Sequence, residues 1–191
     1  MILNLGCGAS RPKDKDWVNV DDLHSIFPNA DCPERKHMDA EPNYKNFDLR
    51  QPLWVADNSV DGILASHFLE HLGLQDAVKT VKDWYRVLKP GGVVRLSTPD
   101  PHKFWTIQME GKEDWGEPNY SLQGDHPTTF IEYALFFPGH LQVVGKDTAF
   151  CLLYVAGFRN IVEMPFRKSN LNGLEKIDNR PKFSSFIEGI K

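Results

Sequence analysis

Short apolar runs, each cut off by glycine, proline or polar residues, set the rhythm of this chain. Ile2, Leu3 and Leu5 form the first, of the kind that fills a strand buried on both faces. Trp17–Asp21 reads as a second strand ending in a carboxylate, and a third falls near Lys45–Leu49. Val60–Ala65, introduced by the turn Asp57-Asn58-Ser59, is the fourth. The period then changes: Ala77, Val81, Trp84 and Leu88 fall on one face of a 3.6-residue repeat and predict a helix over Gln75–Leu88. Pro90-Gly91-Gly92 stops that helix, and Val93–Ser97 makes the fifth strand. Asp147–Ala156 reads as a helix ended by Gly157, followed by strands at Phe158–Glu163 and Phe183–Glu188.

Strands interleaved with helices predict an open α/β sheet, seven-stranded and Rossmann-like, whose ligands sit at the carboxyl ends of the strands. The first crossover is unusual. Only eleven residues, Gly6 to Asp16, separate the first two strands, and Pro12 is among them. A crossover with its helix needs roughly ten to twelve residues or more, so this helix is expected to be short or absent. Residues 22–44 read as loop with one short helix around Leu23–Phe27. Residues 100–146 crowd Phe104, Trp105, Trp115, Tyr120, Phe130, Tyr133, Phe136 and Phe137 among prolines, glycines and acids. That stretch is expected to cover a substrate site rather than pack as a regular helix.

At 191 residues the chain has room for one domain with a full core, and we expect a single domain over residues 1–191. A hydrophobic content of 41% with 25% charged residues is globular. A net charge of −4 offers no electrostatic footprint for nucleic acid or for an anionic membrane, so neither is expected as a partner. Three scattered cysteines, Cys7, Cys32 and Cys151, make neither a disulfide framework nor a zinc spacing. With no leader-like start and no run of about 20 apolar residues, a cytoplasmic protein is expected. Nothing in the sequence fixes the oligomeric state.

The candidate chemistry starts at Gly6-Cys7-Gly8. Two glycines straight after a buried strand permit positive φ and leave no side chain between backbone and ligand. Asp21 ends the second strand, thirteen positions after Gly8, where a carboxylate can accept both hydroxyls of a ribose. The alternative is a solvated strand-end acid. A dinucleotide dehydrogenase would need a third glycine where Arg11 stands and an acid about twenty residues on; both conditions fail, which disfavours NAD.

The motifs Leu3-Asn4-Leu5-Gly6-Cys7-Gly8, Val18-Asn19-Val20-Asp21, Asp48-Leu49, Ser66-His67-Phe68-Leu69-Glu70-His71 and Arg86-Val87-Leu88-Lys89-Pro90-Gly91-Gly92, in this order, resemble the class I S-adenosylmethionine-dependent methyltransferases. The pattern is similar to a small bacterial, type 11-like subgroup, dense from residue 2 to about 100 and thin afterwards. The resemblance implies a mostly parallel sheet with an antiparallel last strand. It implies S-adenosylmethionine as cofactor, held by Leu5, Gly6, Cys7, Gly8, Asp21, Asp48, Leu49, Ser66 and His67. Asp48 and Leu49 match the adenine pair of that family, against the alternative of a loop aspartate capping its own turn. Two departures stand out: Asn4 occupies a position often acidic, and Ser10 replaces a third loop glycine. With so little helix behind the glycine turn, Arg11 is a candidate partner for the cofactor's carboxylate, against an exposed loop arginine.

His67, Glu70 and His71 share a face if Ser66 opens a helix. His67 and the distant His140 are the candidate catalytic bases; His102 and His126 are further histidines facing the expected cover. A divalent metal on His67, Glu70, His71 and His140 is the rival reading, and a histidine at position 67 disfavours a hard cation. The expectation is no metal, with Glu70 and His71 bracing the local backbone and His67 lining the cofactor pocket. His67-x-x-Glu70-His71 also spells a metalloprotease signature, which the surrounding motifs oppose. The function expected is methyl transfer to oxygen or nitrogen of a small acceptor such as a sugar or other polar metabolite. The alternatives are a cofactor-binding interaction module without catalysis and a metal-dependent hydrolase.

Overall fold

Seven strands form one sheet in the order β3-β2-β1-β4-β5-β7-β6. The structure is a computed structural model describing residues 1–22, 29, 31–109, 139–171 and 173–191. In chain order the elements are β1 (Ile2–Leu5), β2 (Trp17–Asp21), α1 (Pro33–Asp39), β3 (Tyr44–Asn46), β4 (Val60–Ser66), α2 (Leu74–Val87), β5 (Leu88–Pro99), α3 (Pro101–Met109), α4 (Lys146–Ala156), β6 (Arg159–Met164) and β7 (Ser184–Ile190). Short 3₁₀ turns add Leu69–His71 and Leu174–Ile177. β1 pairs parallel with β2 and β4, β2 with β3, and β4 with β5. β7 runs antiparallel to both β5 and β6, as the family resemblance implies. The expected short helix at Leu23–Phe27, and residues 110–138 of the expected cover with His126, lie outside the described residues.

Two clusters flank the sheet because successive side chains of a strand point to opposite faces. Leu3, Leu5, Ile63, Ala65, Val94 and Leu96 face a large core closed by Ala77, Val81 and Trp84 of α2 and Ala149 and Leu153 of α4. Trp17, Leu64, Val93 and Leu174 form a smaller cluster on the other face. There a loop does the covering. Gly62 lets it approach, since a Cβ at that position would stand 2.5 Å from Leu171.

The first crossover holds no helix between β1 and β2. Buried asparagines tie down the loop instead. Asn4 Nδ2 donates to Ser10 O (2.6 Å) and to Asn19 Oδ1 (2.9 Å), and Asn19 Nδ2 donates to Pro12 O (3.0 Å). Asn43 Nδ2 reaches the same Pro12 carbonyl at 2.7 Å. The departure at position 4 therefore serves the scaffold: Asn4 is 2% exposed.

Five expectations need correction. Residues 22–44 are not loop throughout the described part: α1 runs over Pro33–Asp39, with Pro33 opening it at a first-turn position that needs no amide donor. β3 lies at Tyr44–Asn46, earlier than Lys45–Leu49, because Phe47 only donates its amide to Asp21 O before the chain turns. α2 ends at Val87; Leu88 already has extended backbone and opens β5. Pro90-Gly91-Gly92 therefore lies within the β5 ladder, bulging between the Leu88–Val60 and Val93–Gly62 pairs. Residues 101–109 are a regular helix rather than loose cover, capped by Asp100, whose Oδ1 accepts the amide of His102 at 3.0 Å. Phe104 anchors that helix by stacking on Phe183 with ring centroids 5.3 Å apart.

Candidate cofactor site and the histidine cluster beside it

The carboxyl ends of β1, β2, β3 and β4 bring Gly6–Gly8, Asp21, Asp48–Leu49 and Ser66–His67 to one edge of the sheet. The glycine turn is shaped by its neighbours. Gly6 has φ +66°, and a Cβ there would lie 2.7 Å from the Phe68 ring. Gly8 has φ +47°, and a Cβ there would meet nothing within 4 Å among the described residues. The turn thus packs against the β4 loop on one side, and no described residue fills its outer side. The amides of Gly6 and Cys7 both donate to Val20 O, at 2.9 and 3.2 Å, fixing the turn to the end of β2.

Asp21 completes the edge. Its Oδ2 accepts the amide of Gly8 at 2.8 Å and its Oδ1 the amide of Asp22 at 2.9 Å. Burial raises its pKa above the usual aspartate range, although these two amides pull it back. Asp48 is committed differently. Arg50 forks onto it, Nε to Oδ1 at 2.8 Å and Nη2 to Oδ2 at 3.0 Å, and holds its pKa below the usual range. Leu49 beside it is buried. Ser66 ends the ladder opposite Ser97.

Arg11 does not hang in solvent. Its Nε lies 3.3 Å from Glu41 Oε2, with both side chains largely buried, and among the described residues its Nη1 has no hydrogen-bond partner. Its charge acts on Cys7 and Asp21, lowering both pKa values against the effect of burial. For Cys7 burial dominates, followed by the repulsive charge of Asp21, and the thiol is pushed up to about 12. A thiol with that pKa carries almost no thiolate at neutral pH. In the native protein Cys7 is therefore expected to resist iodoacetamide at pH 8 while the exposed Cys151 is alkylated. Peptide mass mapping checks this, and labelling of Cys7 at the rate of Cys151 would contradict it.

No α-helix starts at Ser66. His67 has a left-handed backbone, φ +50°, an uncommon conformation for a non-glycine residue, and only a 3₁₀ turn follows at Leu69–His71. The cluster assembles all the same. His67 Nε2 is 2.8 Å from Ser184 Oγ and its Nδ1 is 3.3 Å from Glu70 Oε1. Glu70 is 1% exposed. His71 and His140 stack edge to face, ring centroids 4.9 Å apart. The ligand atoms of Glu70, His71 and His140 all lie within 4.8 Å of one another, a grouping that leaves His67 outside. His102 lies in the first turn of α3, where its amide donates to the capping Asp100 at 3.0 Å and its carbonyl accepts Thr106 Oγ1 at 2.9 Å.

The sequence profile of a methyltransferase domain family matches residues 3–96, the stretch that carries this edge. Residues 3–96 are thus similar to that family. A protein of Mycolicibacterium smegmatis named as a probable S-adenosylmethionine-dependent methyltransferase is 30% identical over 103 residues, 52% of this chain. The chain spans only 38% of that relative's length. Among solved structures, an S-adenosylmethionine-dependent methyltransferase from Archaeoglobus fulgidus aligns over the whole chain and 85% of its own, with TM-score 0.63 at 18% identity. One from Mesorhizobium loti aligns over the whole chain and 90% of its own, with TM-score 0.56 at 17% identity.

This is the class I S-adenosylmethionine-dependent methyltransferase fold, and the glycine edge fits its cofactor. The open side of Gly8 gives the backbone access to a ligand, and Asp21 presents a carboxylate beside it. Sequence reasoning missed Ser184, because β7 enters the edge antiparallel from more than a hundred residues away. An apolar groove of about 430 Å³, lined by Phe150, Tyr154, Phe158 and Ile161, lies at the amino end of β6, away from this edge. Among the described residues no helix is long and apolar enough to cross a membrane.

Proposed function

We propose that the whole chain transfers a methyl group from S-adenosylmethionine to an oxygen or nitrogen of a small polar acceptor, a sugar or similar metabolite. The observation carrying this reading is the Gly8–Asp21 pair: a glycine turn with free space outside it, locked at 2.8 Å to a carboxylate that ends the neighbouring strand. Asp21 takes the ribose hydroxyls. Leu5, Gly6, Cys7 and Gly8 form the wall against the methionine part, and Ser66 and His67 close the far side. Asp48 meets the adenine amine once Arg50 swings away, with the backbone amide of Leu49 meeting a ring nitrogen. Arg11, with one amino group uncommitted among the described residues, faces the cofactor's carboxylate.

The cofactor supplies an activated methyl, so the chain's task is to align an acceptor and remove its proton. His67 is the proposed proton acceptor: the Glu70 carboxylate stands 3.3 Å from Nδ1, and the acceptor's hydroxyl or amine replaces Ser184 Oγ at Nε2. His140 stands with His71 and Glu70 instead, which gives it a different part below. The fold's acidic net charge favours a small acceptor over nucleic acid.

Isothermal titration with S-adenosylmethionine, S-adenosylhomocysteine and NAD tests the reading. Binding of both adenosyl compounds and not NAD is expected. No binding of either by folded protein would sink it. Binding without turnover on any acceptor would favour an interaction module.

A further inference from the structure

The geometry points to a divalent transition-metal site formed by Glu70, His71 and His140, beside the cofactor edge and separate from the glycine turn. This reverses the expectation of no metal drawn from the sequence. It stands independently of the methyl acceptor proposed above.

Glu70 anchors the site. Its side chain is 1% exposed, and among the described residues neither carboxylate oxygen accepts a hydrogen bond. A carboxylate withdrawn from water needs a counter-charge or donors, and leaving it without them is strongly unfavourable. The nearest cationic candidate is His67, whose Nδ1 stands 3.3 Å from Oε1 at an angle that makes no hydrogen bond. That contact addresses one oxygen only. A dication bound by the carboxylate answers both.

The other two donors are held in place by backbone lacing. Glu70 and His71 sit in one 3₁₀ turn, and the segment carrying His140 is stitched to that turn from outside. The amide of Leu141 donates to Glu70 O at 2.8 Å. Gln142 Nε2 donates to Leu69 O at 3.2 Å and to Leu72 O at 2.9 Å, bridging both ends of the turn. Seventy residues of separation are thus cancelled by hydrogen bonds on either side of the donors. The three ligand atoms already lie within 4.8 Å of one another. Tetrahedral zinc, at about 2.0–2.1 Å from its ligands, needs donors about 3.3 Å apart. Binding therefore requires the side chains to close that difference against the laced backbone.

The donor set selects the ion. Two imidazole nitrogens and one carboxylate oxygen suit zinc, iron(II), manganese or cobalt, whereas magnesium and calcium require mostly oxygen. Three protein ligands leave coordination positions open to water or substrate. His67 lies outside the trio and contacts Glu70 from behind, the place of a partner that orients a ligand.

The test uses untagged full-length protein stripped with a chelator and titrated with Co²⁺ and Zn²⁺ in the absence of S-adenosylmethionine. One equivalent of Co²⁺ is expected to bind and develop visible d–d absorption, which Zn²⁺ bleaches by displacement. Glu70→Gln and His140→Ala are each expected to weaken binding by at least the ~10–100-fold that losing an outer-sphere partner costs. Should either variant unfold, the native protein decides alone: Zn²⁺ must protect His71 and His140 from diethylpyrocarbonate while leaving the exposed His37 reactive. Absence of saturable Co²⁺ uptake, undiminished uptake by folded variants, or unprotected His71 and His140 would each overturn the site. Cofactor binding is measured separately, so loss of one reading leaves the other standing.

Discussion

Asp21→Asn is expected to lower the affinity for S-adenosylmethionine by about 10–100-fold while leaving the melting temperature of the cofactor-free protein unchanged or raised. The binding side follows from hydrogen bonds to a charged acceptor, worth about 1.5–3 kcal/mol each way they are lost. The stability side follows from the raised pKa, caused first by burial. A carboxyl whose folded pKa lies above its unfolded one is harder to ionise in the folded state. Asp21 therefore subtracts stability above its unfolded pKa, and the deficit disappears as pH falls through the folded pKa. Cofactor affinity moves the opposite way: it is full at neutral pH and falls on acidification as the carboxylate protonates, sooner than for an ordinary aspartate. Asp21→Asn should erase that pH dependence. Calorimetric titration across pH 5–8 and thermal unfolding without cofactor check both halves. A melting temperature that falls in step with affinity would make Asp21 a brace for the glycine turn and nothing more.

The same residue shows what a sequence can disclose. Asp21 was legible because a strand ending in a carboxylate, at fixed distance from a glycine turn, depends only on local order. β1, β2, β4, α2 and β7 were legible for the same reason: their apolar patterns are dictated by burial on the sheet. β3 was misplaced since Tyr44-Lys45-Asn46 lies at the sheet edge, where Lys45 is exposed and no apolar pattern is required. α3 was hidden because its start depends on Asp100 and its anchor on Phe183, which no local repeat announces. At the site, His67, Glu70 and His71 were visible as a spacing. Their real arrangement came from a left-handed residue and a 3₁₀ turn, and the company of His140 from Gln142 reaching two carbonyls seventy residues back.

Arg95 illustrates the limit more sharply, and its replacement is expected to have the largest effect on stability. It lies inside the apolar run Val93-Val94-Arg95-Leu96, on the face covered by loop rather than helix, and is fully buried. Its Nε donates to Asp178 Oδ1 at 2.9 Å and its Nη1 to Glu188 Oε1 at 2.8 Å. Those carboxylates in turn hold the covering loop: Asp178 accepts the amide of Arg167 at 2.8 Å, and Glu188 accepts Asn170 through amide and side chain, both at 2.9 Å. One cation on the sheet thus fixes the segment that replaces a helical layer. Arg95→Met keeps the bulk and removes the charge, leaving two buried acids unpaired, which costs about 3–5 kcal/mol. At about 2–4 °C per kcal/mol for a chain of this size, the melting temperature should fall by about 6–20 °C. Adding Asp178→Asn and Glu188→Gln removes the stranded charges while keeping an acceptor oxygen at each position for the loop. This triple variant should recover part of the loss, as measured by chemical denaturation at pH 7. Equal instability in the single and triple variants would show that the arginine's directed hydrogen bonds, rather than charge balance, hold that face of the sheet closed.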